Sequence, residues 1–317
     1  MKLIIQIPCY NEEKTLPVTY KDLPTQIEGI DEIKILIIND GSTDNTVKIA
    51  KKIGVDHIVN FNRNKGLARA FSAGIEECLE LGADIIVNTD ADNQYCGQDI
   101  SKLIKPVVEG KADVVVGDRN TDKISHFSWT KKKMQKMGSL LIRKLSNTKV
   151  TDTVSGFRAF SRDAAIRINT LTEFSYTVES LIQLGNQKLK IISIPIRTNK
   201  ELRESRLFTS IPKFLSMQLS TILRVYATYK ALRIFTIIGL IIILPGLLGL
   251  SRFLYYYFMA DGEGHIQSLI FTAILINVGF IVFMFGIIAD LISSNRKLIE
   301  NILYKIKKIE LNKNHED

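Results

Sequence analysis

The sequence predicts an α/β domain with a mainly parallel sheet, followed by interface helices and two transmembrane helices. Short apolar runs that end in polar turns alternate with helix-forming stretches through the first 200 residues. Two longer apolar stretches follow, each of about 20 residues, which is the length that crosses a bilayer. The chain is 46% hydrophobic and 24% charged, so its apolar residues are segregated into the second part.

Six apolar runs are predicted as buried strands because they are short, rich in Ile, Leu and Val, and bounded by turn residues. They span residues 3–7, 33–38, 57–60, 84–88, 113–116 and 190–196. Helices are predicted between and after them, over residues 12–26, 43–53, 66–80, 100–109, 131–145 and 173–184. Such alternation gives a doubly wound sheet whose ligands bind at the carboxyl ends of the strands.

Two apolar stretches are predicted to span a membrane: 234–250, which continues through aromatic residues to Phe258, and 266–289. The loop between them carries Arg252, Asp261 and Glu263, a charge of one minus two, or −1. Basic residues flank the other ends of both spans, so the positive-inside rule puts both termini in the cytoplasm. These residues are Lys230, Arg233, Arg296, Lys297, Lys305, Lys307 and Lys308. The alternative is a pair of long buried core helices.

The chain carries a net charge of +9, from 42 Lys and Arg against 33 Asp and Glu. A basic surface suits anionic lipids or phosphorylated substrates, and we expect no nucleic-acid partner. The cysteines Cys9, Cys78 and Cys96 have no Cys-x-x-Cys spacing, so neither a zinc site nor a disulfide framework is predicted. No signal-peptide pattern follows Met1, and a cytoplasmic location of the N-terminal domain is expected.

The most informative polar segment is 88–94, directly after a predicted strand. In an extended segment residues i and i+2 point the same way, so Asp90 and Asp92 present two carboxylates to one hard divalent cation. A cation there neutralises a diphosphate leaving group. The pattern alone is weak, because paired aspartates also occur in ordinary polar turns.

Two other polar segments, 8–12 and 39–46, end the first and second predicted strands. The ends of neighbouring parallel strands converge at one edge of the sheet, where a nucleotide binds in such folds. The three segments are therefore expected to form one site.

Together these segments resemble the inverting family 2 glycosyltransferases, over essentially the whole chain. The resemblance implies a GT-A-type nucleotide-binding domain with a mixed, mainly parallel sheet. It also implies that Asp90, Asp92 and Gln94 hold Mg²⁺ or Mn²⁺. Asn39 stands where an Asp is common, which leaves the choice of nucleobase open. The implied nucleotide-sugar ligands are Pro8, Tyr10, Asn11, Glu12, Asp40, Ser42, Asp90 and Ala91.

The second half contains the segments 117–119, 151–158 and 203–206, which resemble those of dolichol-phosphate sugar synthases. Arginine forms bidentate contacts with phosphate, so a cluster of arginines suits a phosphate acceptor. For any single arginine a surface salt bridge is an equal alternative. The implied lipid-phosphate or donor-phosphate ligands are Arg119, Ser155, Arg158, Arg203, Ser205 and Arg206.

The resemblance implies transfer of a sugar from a UDP- or GDP-sugar to a polyprenyl phosphate, dolichyl or undecaprenyl, with inversion. A phosphate acceptor is already anionic near neutral pH and needs little general-base help. Asp92 is assigned a catalytic role through the metal. Asp152 is either the catalytic base or a carboxylate that orients an arginine. The product is a lipid-linked monosaccharide for glycan or glycoprotein assembly.

The expected organisation is a cytoplasmic catalytic domain at 1–205, amphipathic interface helices at 206–232, two spans within 233–292 and a basic cytoplasmic tail at 293–317. Polysaccharide synthases, which act on a hydroxyl acceptor, are disfavoured because their Gln-x-x-Arg-Trp segment is missing and the one Trp is Trp129. A non-catalytic scaffold has no need of the carboxylates and arginines. The spans can pack within one chain or between chains, which leaves a homo-oligomer open.

Overall fold

The computed structural model describes residues 1–119, 142–143, 146–169, 176–200, 211–259 and 266–313, with only the helical backbone described at 211–230. The chain divides into two compact units. The first is Met1–Met217 together with Leu303–Asp317, and the second is Gln218–Ile302. The predicted helix at 131–145 lies almost wholly outside the described residues.

The described part of the first unit contains a seven-stranded sheet in the order β3-β2-β1-β4-β6-β5-β7. Neighbouring strands are parallel except β6, which runs antiparallel to both β4 and β5. The predicted mixed, mainly parallel sheet is therefore confirmed. The strands are β1 (Lys2–Cys9), β2 (Glu32–Asn39), β3 (His57–Asn60), β4 (Ile85–Asn88), β5 (Val114–Asp118), β6 (Arg158–Ser161) and β7 (Ile191–Pro195).

Helices cover both faces of this sheet, because alternate residues of each buried strand point to opposite sides. Ile4 and Leu36 join a core cluster with Phe71, whereas Ile5 and Ile37 join a second cluster on the other face. The helices of the first unit are α1 (Leu16–Asp22), α2 (Thr46–Lys52), α3 (Leu67–Glu80), α4 (Ile100–Val108), α5 (Arg162–Ile166) and α6 (Tyr176–Asn186).

Strand β6 and helix α5 are the elements that the sequence analysis missed. The strand has four residues and begins at the buried Arg158, so it carries no long apolar run. Its position between β4 and β5 is set by pairing with distant residues: Asn88 is opposite Arg158, and Val114 is opposite Phe160. The insertion brings the segment before Arg158 to the edge where β4 ends.

The second unit contains most of α7 (Ile211–Met259) and of α8 (Ile266–Lys313), whose apolar parts are long enough to cross a membrane. Their contacts run antiparallel, and glycines let the backbones approach closely. A Cβ at Gly239 would lie 3.0 Å from the Gly279 carbonyl oxygen, and a Cβ at Gly279 would lie 2.4 Å from Ile243 Cγ1. The interface segment predicted at 206–232 and the first span predicted at 234–258 share the one continuous helix α7 from Ile211 onward.

The end of α8, from Leu303 onward, belongs to the first unit. Tyr304 donates a hydrogen bond of 2.5 Å to Asp163 Oδ1, and the Arg167 guanidinium lies 4.0 Å from the centre of the Tyr304 ring. Leu311 is buried in the core cluster that contains Phe71. The polypeptide thus leaves the first unit through α7 and returns to it at the end of α8.

Candidate active site

The predicted polar segments meet at one edge of the sheet, because β1, β2, β4 and β5 are mutually aligned and all end there. The antiparallel β6 begins at the same edge. Residues 10–12, 40–42, 90–94, 118–119 and 152–157 are therefore gathered from five strand ends. This gathering is the arrangement that the sequence analysis predicted for the first three of these segments.

The loops after β1 and β2 are joined by side-chain hydrogen bonds. The Asn11 backbone N–H donates to Ser42 Oγ at 2.9 Å, and the Thr43 backbone N–H donates to Asn11 Oδ1 at 2.8 Å. Asn11 has a φ of 55°, a left-handed conformation that asparagine tolerates better than most residues. The neighbouring Tyr10 side chain is 41% exposed. The two loops thus form one surface with an aromatic ring on it.

Pro8 and Glu12 are built into the framework beneath that surface. Pro8 lies within β1 and is buried. The Glu12 N–H donates to Thr46 Oγ1 at 2.8 Å, and the buried Glu12 carboxylate accepts from Thr15 Oγ1 at 2.5 Å. Glu12 therefore ties the loop after β1 to the first turns of α1 and α2.

Asp40 supports a loop that the sequence analysis did not identify, at residues 63–66. Its carboxylate accepts hydrogen bonds from the backbone N–H groups of Lys65 at 2.7 Å and Gly66 at 2.9 Å. Burial raises the pKa of Asp40 above its ordinary value, against the opposing effect of these two bonds. Gly41, with a φ of 68°, packs so closely on this loop that a Cβ would lie 2.3 Å from the Arg63 carbonyl carbon.

The paired carboxylates lie directly after β4 in a short turned segment. Asp92 Oδ1 accepts from the Gln94 N–H at 3.1 Å, and Asn93 between them has a φ of 58°. The Ala91 carbonyl accepts from Thr19 Oγ1 of α1 at 2.9 Å. Asp90, Asp92 and Gln94 are all half-buried. We call residues 90–94, which contain the three predicted metal ligands, the metal segment.

The donor chemistry of the metal segment fits a hard divalent cation. Carboxylate and amide oxygens are the protein ligands that Mg²⁺ and Mn²⁺ prefer. In the described parts of the chain no group of three or more His, Cys, Asp or Glu side chains converges to hold a metal. The oxygen ligands that Asp90, Asp92 and Gln94 offer are of the kind that a hard divalent cation takes.

Gly156, from the second half of the chain, packs against the Asp90 carboxylate. A Cβ on Gly156 would lie 3.2 and 3.3 Å from the two Asp90 oxygens and 2.7 Å from Tyr176 Oη. The Gly156 N–H donates to Tyr95 Oη at 3.1 Å, and its carbonyl accepts from Asn88 Nδ2 at 2.8 Å. Only glycine fits this position without displacing Asp90.

Tyr95 is a site residue that was not predicted from the sequence. Its ring stacks on Phe157 with centroids 5.0 Å apart, and its hydroxyl is buried near Asp90. Burial, together with the Asp90 charge, raises the pKa of Tyr95 to about 12, so the hydroxyl stays protonated at neutral pH. Its place immediately after Gln94 is the sequence signal that identifies it.

Arg119 and Asp152 form a bidentate ion pair at the same edge. Asp152 accepts from Arg119 Nε at 2.7 Å and from Nη2 at 3.0 Å, and the Asp152 and Arg119 side chains are 1% and 21% exposed respectively. Burial lowers the pKa of Arg119, but the neighbouring Tyr95, Asp152 and Asp90 outweigh it and the net shift is upward. Both Asp152 oxygens are therefore bonded to the Arg119 guanidinium.

Arg158 lies inside the protein. Its side chain is 0% exposed and donates to the Ser155, Thr153 and Thr177 carbonyls and to Ser180 Oγ, at 2.7–3.0 Å. Burial lowers its pKa to about 10, so it remains charged at neutral pH. These bonds hold the 153–155 turn, and the guanidinium that makes them is closed to solvent.

Ser155 is also fully buried, and its hydroxyl has no hydrogen-bond partner within the portion of the chain that the structure describes. The remaining predicted phosphate ligands, Arg203, Ser205 and Arg206, lie outside the described residues. Of the predicted phosphate ligands inside the described ranges, Arg119 is the one whose guanidinium is partly exposed beside the metal segment.

A mixed sheet with one antiparallel strand inserted beside β4, and paired aspartates directly after β4, defines a GT-A-type glycosyltransferase. The chain belongs to glycosyl transferase family 2, whose family model matches residues 4–168. The recognition made from the sequence is therefore confirmed.

Relatives with characterised names include polyprenyl-phosphate sugar transferases. The UDP-N-acetylglucosamine–dolichyl-phosphate N-acetylglucosaminyltransferase of Methanococcus voltae is 34% identical over 216 residues, 61% of this chain and 83% of the relative. The undecaprenyl-phosphate mannosyltransferase of Micrococcus luteus is 28% identical, over 65% of this chain and 88% of the relative. The glycosyltransferase AglJ of Haloferax volcanii is 26% identical and aligns with 92% of this chain and 93% of its own length.

A solved structure with the same fold is the glucosyl-3-phosphoglycerate synthase of Mycobacterium tuberculosis, in complex with Mn²⁺, UDP-glucose and phosphoglyceric acid. It aligns with a TM-score of 0.55 at 17% identity, over 71% of this chain and 78% of that chain. The same synthase also forms a complex with Mg²⁺ and UDP, with a TM-score of 0.52. At this identity the likeness establishes the fold.

Proposed function

We propose that this glycosyltransferase transfers a sugar from a nucleoside diphosphate sugar to a polyprenyl phosphate, with inversion at the anomeric carbon. In this reaction the bond from the anomeric carbon to the diphosphate oxygen breaks. A bond from the same carbon to a phosphate oxygen of the lipid forms on the opposite face. The nucleoside diphosphate leaves, and the product is a lipid-linked monosaccharide.

The observation that carries the proposal is the Arg119–Asp152 pair beside Asp90. A partly buried, permanently charged guanidinium at the edge of a sugar-transfer site suits an anionic acceptor. It has little use for a neutral hydroxyl acceptor, which needs a free carboxylate to remove its proton. The pairing occupies both oxygens of Asp152 with Arg119. We therefore assign Asp152 to orienting Arg119 rather than to general-base catalysis.

The names of the relatives support the same acceptor class. The Methanococcus voltae and Micrococcus luteus transferases are named for dolichyl phosphate and undecaprenyl phosphate. Their sugars differ, N-acetylglucosamine in one and mannose in the other. The shared feature is the polyprenyl phosphate, so the acceptor is the part of the proposal that the relatives support most directly.

The donor is proposed to bind across the first three loops. The exposed Tyr10 ring offers a stacking surface for the base, beside Asn11 and Ser42. Asp90, Asp92 and Gln94 would hold a divalent cation, which when bound neutralises the charge of the leaving diphosphate. Asp40 acts indirectly, by holding the 63–66 loop next to that surface.

Arg158 and Ser155 are proposed to shape the acceptor side. Arg158 fixes the turn that contains Ser155 and Gly156 from beneath, which keeps Gly156 against Asp90. Arg119, 21% exposed and within electrostatic reach of Asp90, then offers its charge to the acceptor phosphate. In this arrangement the enzyme positions and desolvates an acceptor that is already ionised. Positioning and desolvation are the main contributions that such a reaction requires from the enzyme.

The two apolar helices α7 and α8 are proposed to anchor the chain in the membrane that contains the lipid. Basic residues flank the ends of both spans that connect to the catalytic unit, which by the positive-inside rule are the cytoplasmic ends. Both termini are then cytoplasmic. The acceptor phosphate lies at the same membrane surface as the catalytic unit.

The test uses the full chain purified in detergent. It is given UDP- and GDP-sugars in turn, with polyprenyl phosphate, Mn²⁺ or Mg²⁺, and an EDTA control. We expect one donor to yield a sugar-phosphate lipid and EDTA to stop the reaction. Product on a hydroxyl acceptor with none on polyprenyl phosphate would contradict the proposed acceptor.

A further inference from the structure

Two stretches distant in sequence pair next to the metal segment. Tyr95 forms an antiparallel bridge with Thr198, flanked by hydrogen bonds on either side. The Asn199 N–H donates to the Gln94 carbonyl at 2.8 Å, and the Cys96 N–H donates to the Arg197 carbonyl at 3.2 Å. Gln94, a proposed metal ligand, is therefore held in register by the residues that follow β7.

This pairing is secured by an ion pair that the proposed reaction does not use. The Asp99 carboxylate, 0% exposed, accepts from the Arg197 backbone N–H at 2.7 Å, from Nη2 at 2.8 Å and from Nε at 3.1 Å. Lys102 adds a bond of 2.9 Å from its exposed ammonium. Arg197 itself is 62% exposed, so its charge is not isolated from water.

A second carboxylate, Asp22 at the end of α1, joins the same two stretches. Its Oδ2 accepts from the Gly97 N–H at 2.6 Å and from Asn199 Nδ2 at 3.3 Å. A carboxylate on each side thus fixes the pairing of residues 94–96 with 197–199. Surface salt bridges contribute little to stability, but a buried carboxylate with four donors, such as Asp99, is costly to misplace.

We propose that Asp99 and Arg197 are positioning residues, which set the affinity of the metal segment for its divalent cation. The inference rests on the proposed function, because it takes Asp92 and Gln94 as ligands. The connection runs from the Arg197 backbone through the pairing to the Gln94 carbonyl. From there it passes through the Gln94 N–H to Asp92 Oδ1. Loss of the ion pair releases Gln94 and Asp92 from the geometry that a small cation requires.

The experiment measures Mn²⁺ binding to the full chain in detergent by electron paramagnetic resonance of free Mn²⁺, with UDP and then GDP present. For Arg197→Gln we expect the Mn²⁺ dissociation constant to rise by at least about tenfold, as for other residues that orient metal ligands. The Mn²⁺ concentration for half-maximal transfer should rise in parallel, while kcat at saturating Mn²⁺ stays near that of the wild type. Arg197→Lys keeps the charge and loses the bidentate contact, so its Mn²⁺ dissociation constant should lie between those of the wild type and Arg197→Gln.

Lys102→Gln is the matched control. It also removes one cationic partner of Asp99, but Lys102 contacts neither the metal segment nor residues 197–199 in the described structure. We expect its Mn²⁺ affinity to equal that of the wild type. Wild-type Mn²⁺ affinity in folded Arg197→Gln and Arg197→Lys would overturn the positioning role and leave a purely structural ion pair.

The two proposals fail in different ways. A wild-type chain that binds Mn²⁺ with a nucleotide but transfers no sugar to polyprenyl phosphate contradicts the proposed acceptor, while the binding comparison still tests Arg197. A wild-type chain that binds no Mn²⁺ with either nucleotide overturns the positioning role itself.

Discussion

The guanidinium of Arg119 is fixed by Asp152 through two parallel hydrogen bonds, 2.7 Å from Nε and 3.0 Å from Nη2. Such a pair leaves the outer face of the guanidinium for an external anion while its orientation is fixed from behind. The orientation, and not only the charge, is then what the site contributes. That distinction can be tested with lysine, which keeps the charge and cannot form the fork.

Arg119→Lys is expected to lower kcat/KM for polyprenyl phosphate by about 10²-fold, because one oriented donor to a reacting anion contributes about that factor. The KM for the nucleotide sugar and the Mn²⁺ affinity should change little. Arg167→Lys is the matched control, since Arg167 Nε contacts Asp163 at 2.8 Å outside the site. An Arg119→Lys variant with wild-type kcat/KM would remove Arg119 from acceptor binding.

Asp92→Ala is expected to reduce transfer by at least about 10³-fold, because one of the two carboxylates proposed to bind the metal is lost. Loss of the hydrogen bond from the Gln94 N–H should itself lower stability by about 1 kcal/mol. Steady-state transfer and thermal unfolding measure the two effects.

Asp56→Ala provides the comparison for that variant. Asp56 also accepts a backbone bond, from the Ile35 N–H at 2.9 Å, but it lies at the opposite edge of the sheet. The Asp56→Ala variant should be less stable than the wild type and transfer sugar at the wild-type rate. Near-normal turnover by folded Asp92→Ala would show that the metal segment is wrongly assigned.

Gly156→Ala is expected to raise the Mn²⁺ concentration needed for half-maximal transfer. The new methyl group would lie 3.2 and 3.3 Å from the Asp90 oxygens and 2.7 Å from Tyr176 Oη, so both groups must move. Overpacking of this kind costs about 1–3 kcal/mol. Adding Tyr176→Phe should recover part of the stability, because it removes the closest contact, without recovering Mn²⁺ affinity.

Gly110→Ala separates glycine strain from this effect. Gly110 has a φ of 64°, and a Cβ added there would have no described atom within 4 Å beyond its chain neighbours, so the substitution strains the backbone alone. It should cost about 1 kcal/mol of stability and leave Mn²⁺ activation unchanged. Equal Mn²⁺ dependence in Gly156→Ala and the wild type would contradict the contact with Asp90.

The parallel part of the fold was predictable from the sequence because its strands are continuous apolar runs. The third strand was predicted with its observed bounds, His57–Asn60, and the other predicted strands differ from the structure by a few residues at their ends. Strand β6 was not predictable in this way, because it is short and is placed by pairing with β4 and β5. The predicted helix at 43–53 begins instead at Thr46, after Asp44 and Asn45.

The site was predictable where side chains follow strand ends, as with Asp40, Asp90 and Asp92. What the side chains contact was not. Tertiary contacts bury Arg158 completely beneath the 153–155 turn, although its sequence position is equally consistent with a surface arginine. The ion pair between Arg197 and Asp99 joins residues 98 positions apart, and no local sequence pattern relates them.

Asp99→Asn tests how much the Asp99–Arg197 ion pair stabilises the fold, through the pH dependence of the free energy of unfolding. Burial disfavours the charged carboxylate, but the bonds from Arg197 and Lys102 outweigh it and lower the pKa of Asp99 to about 2, from an ordinary 3.8. A carboxylate with a lowered pKa stabilises the fold above its ordinary pKa and loses that contribution as the pH falls toward the folded value. The shift corresponds to about 2 kcal/mol. The wild type should therefore exceed Asp99→Asn in unfolding free energy by about that amount at pH 6, and the two should converge between pH about 4 and about 2.

Asp40→Asn should show the opposite slope, because burial raises the pKa of Asp40. A carboxylate with a raised pKa contributes stability below its unfolded value and loses it as the pH rises through its folded value. Relative to Asp40→Asn, the wild type should thus become less stable as the pH rises from the ordinary carboxylate pKa of 3.8 through the raised pKa of folded Asp40. Chemical unfolding of the full chain in detergent at a series of pH values measures both differences. If the stability difference between the wild type and one of these variants does not vary with pH, the pKa shift assigned to the carboxylate replaced in that variant is contradicted.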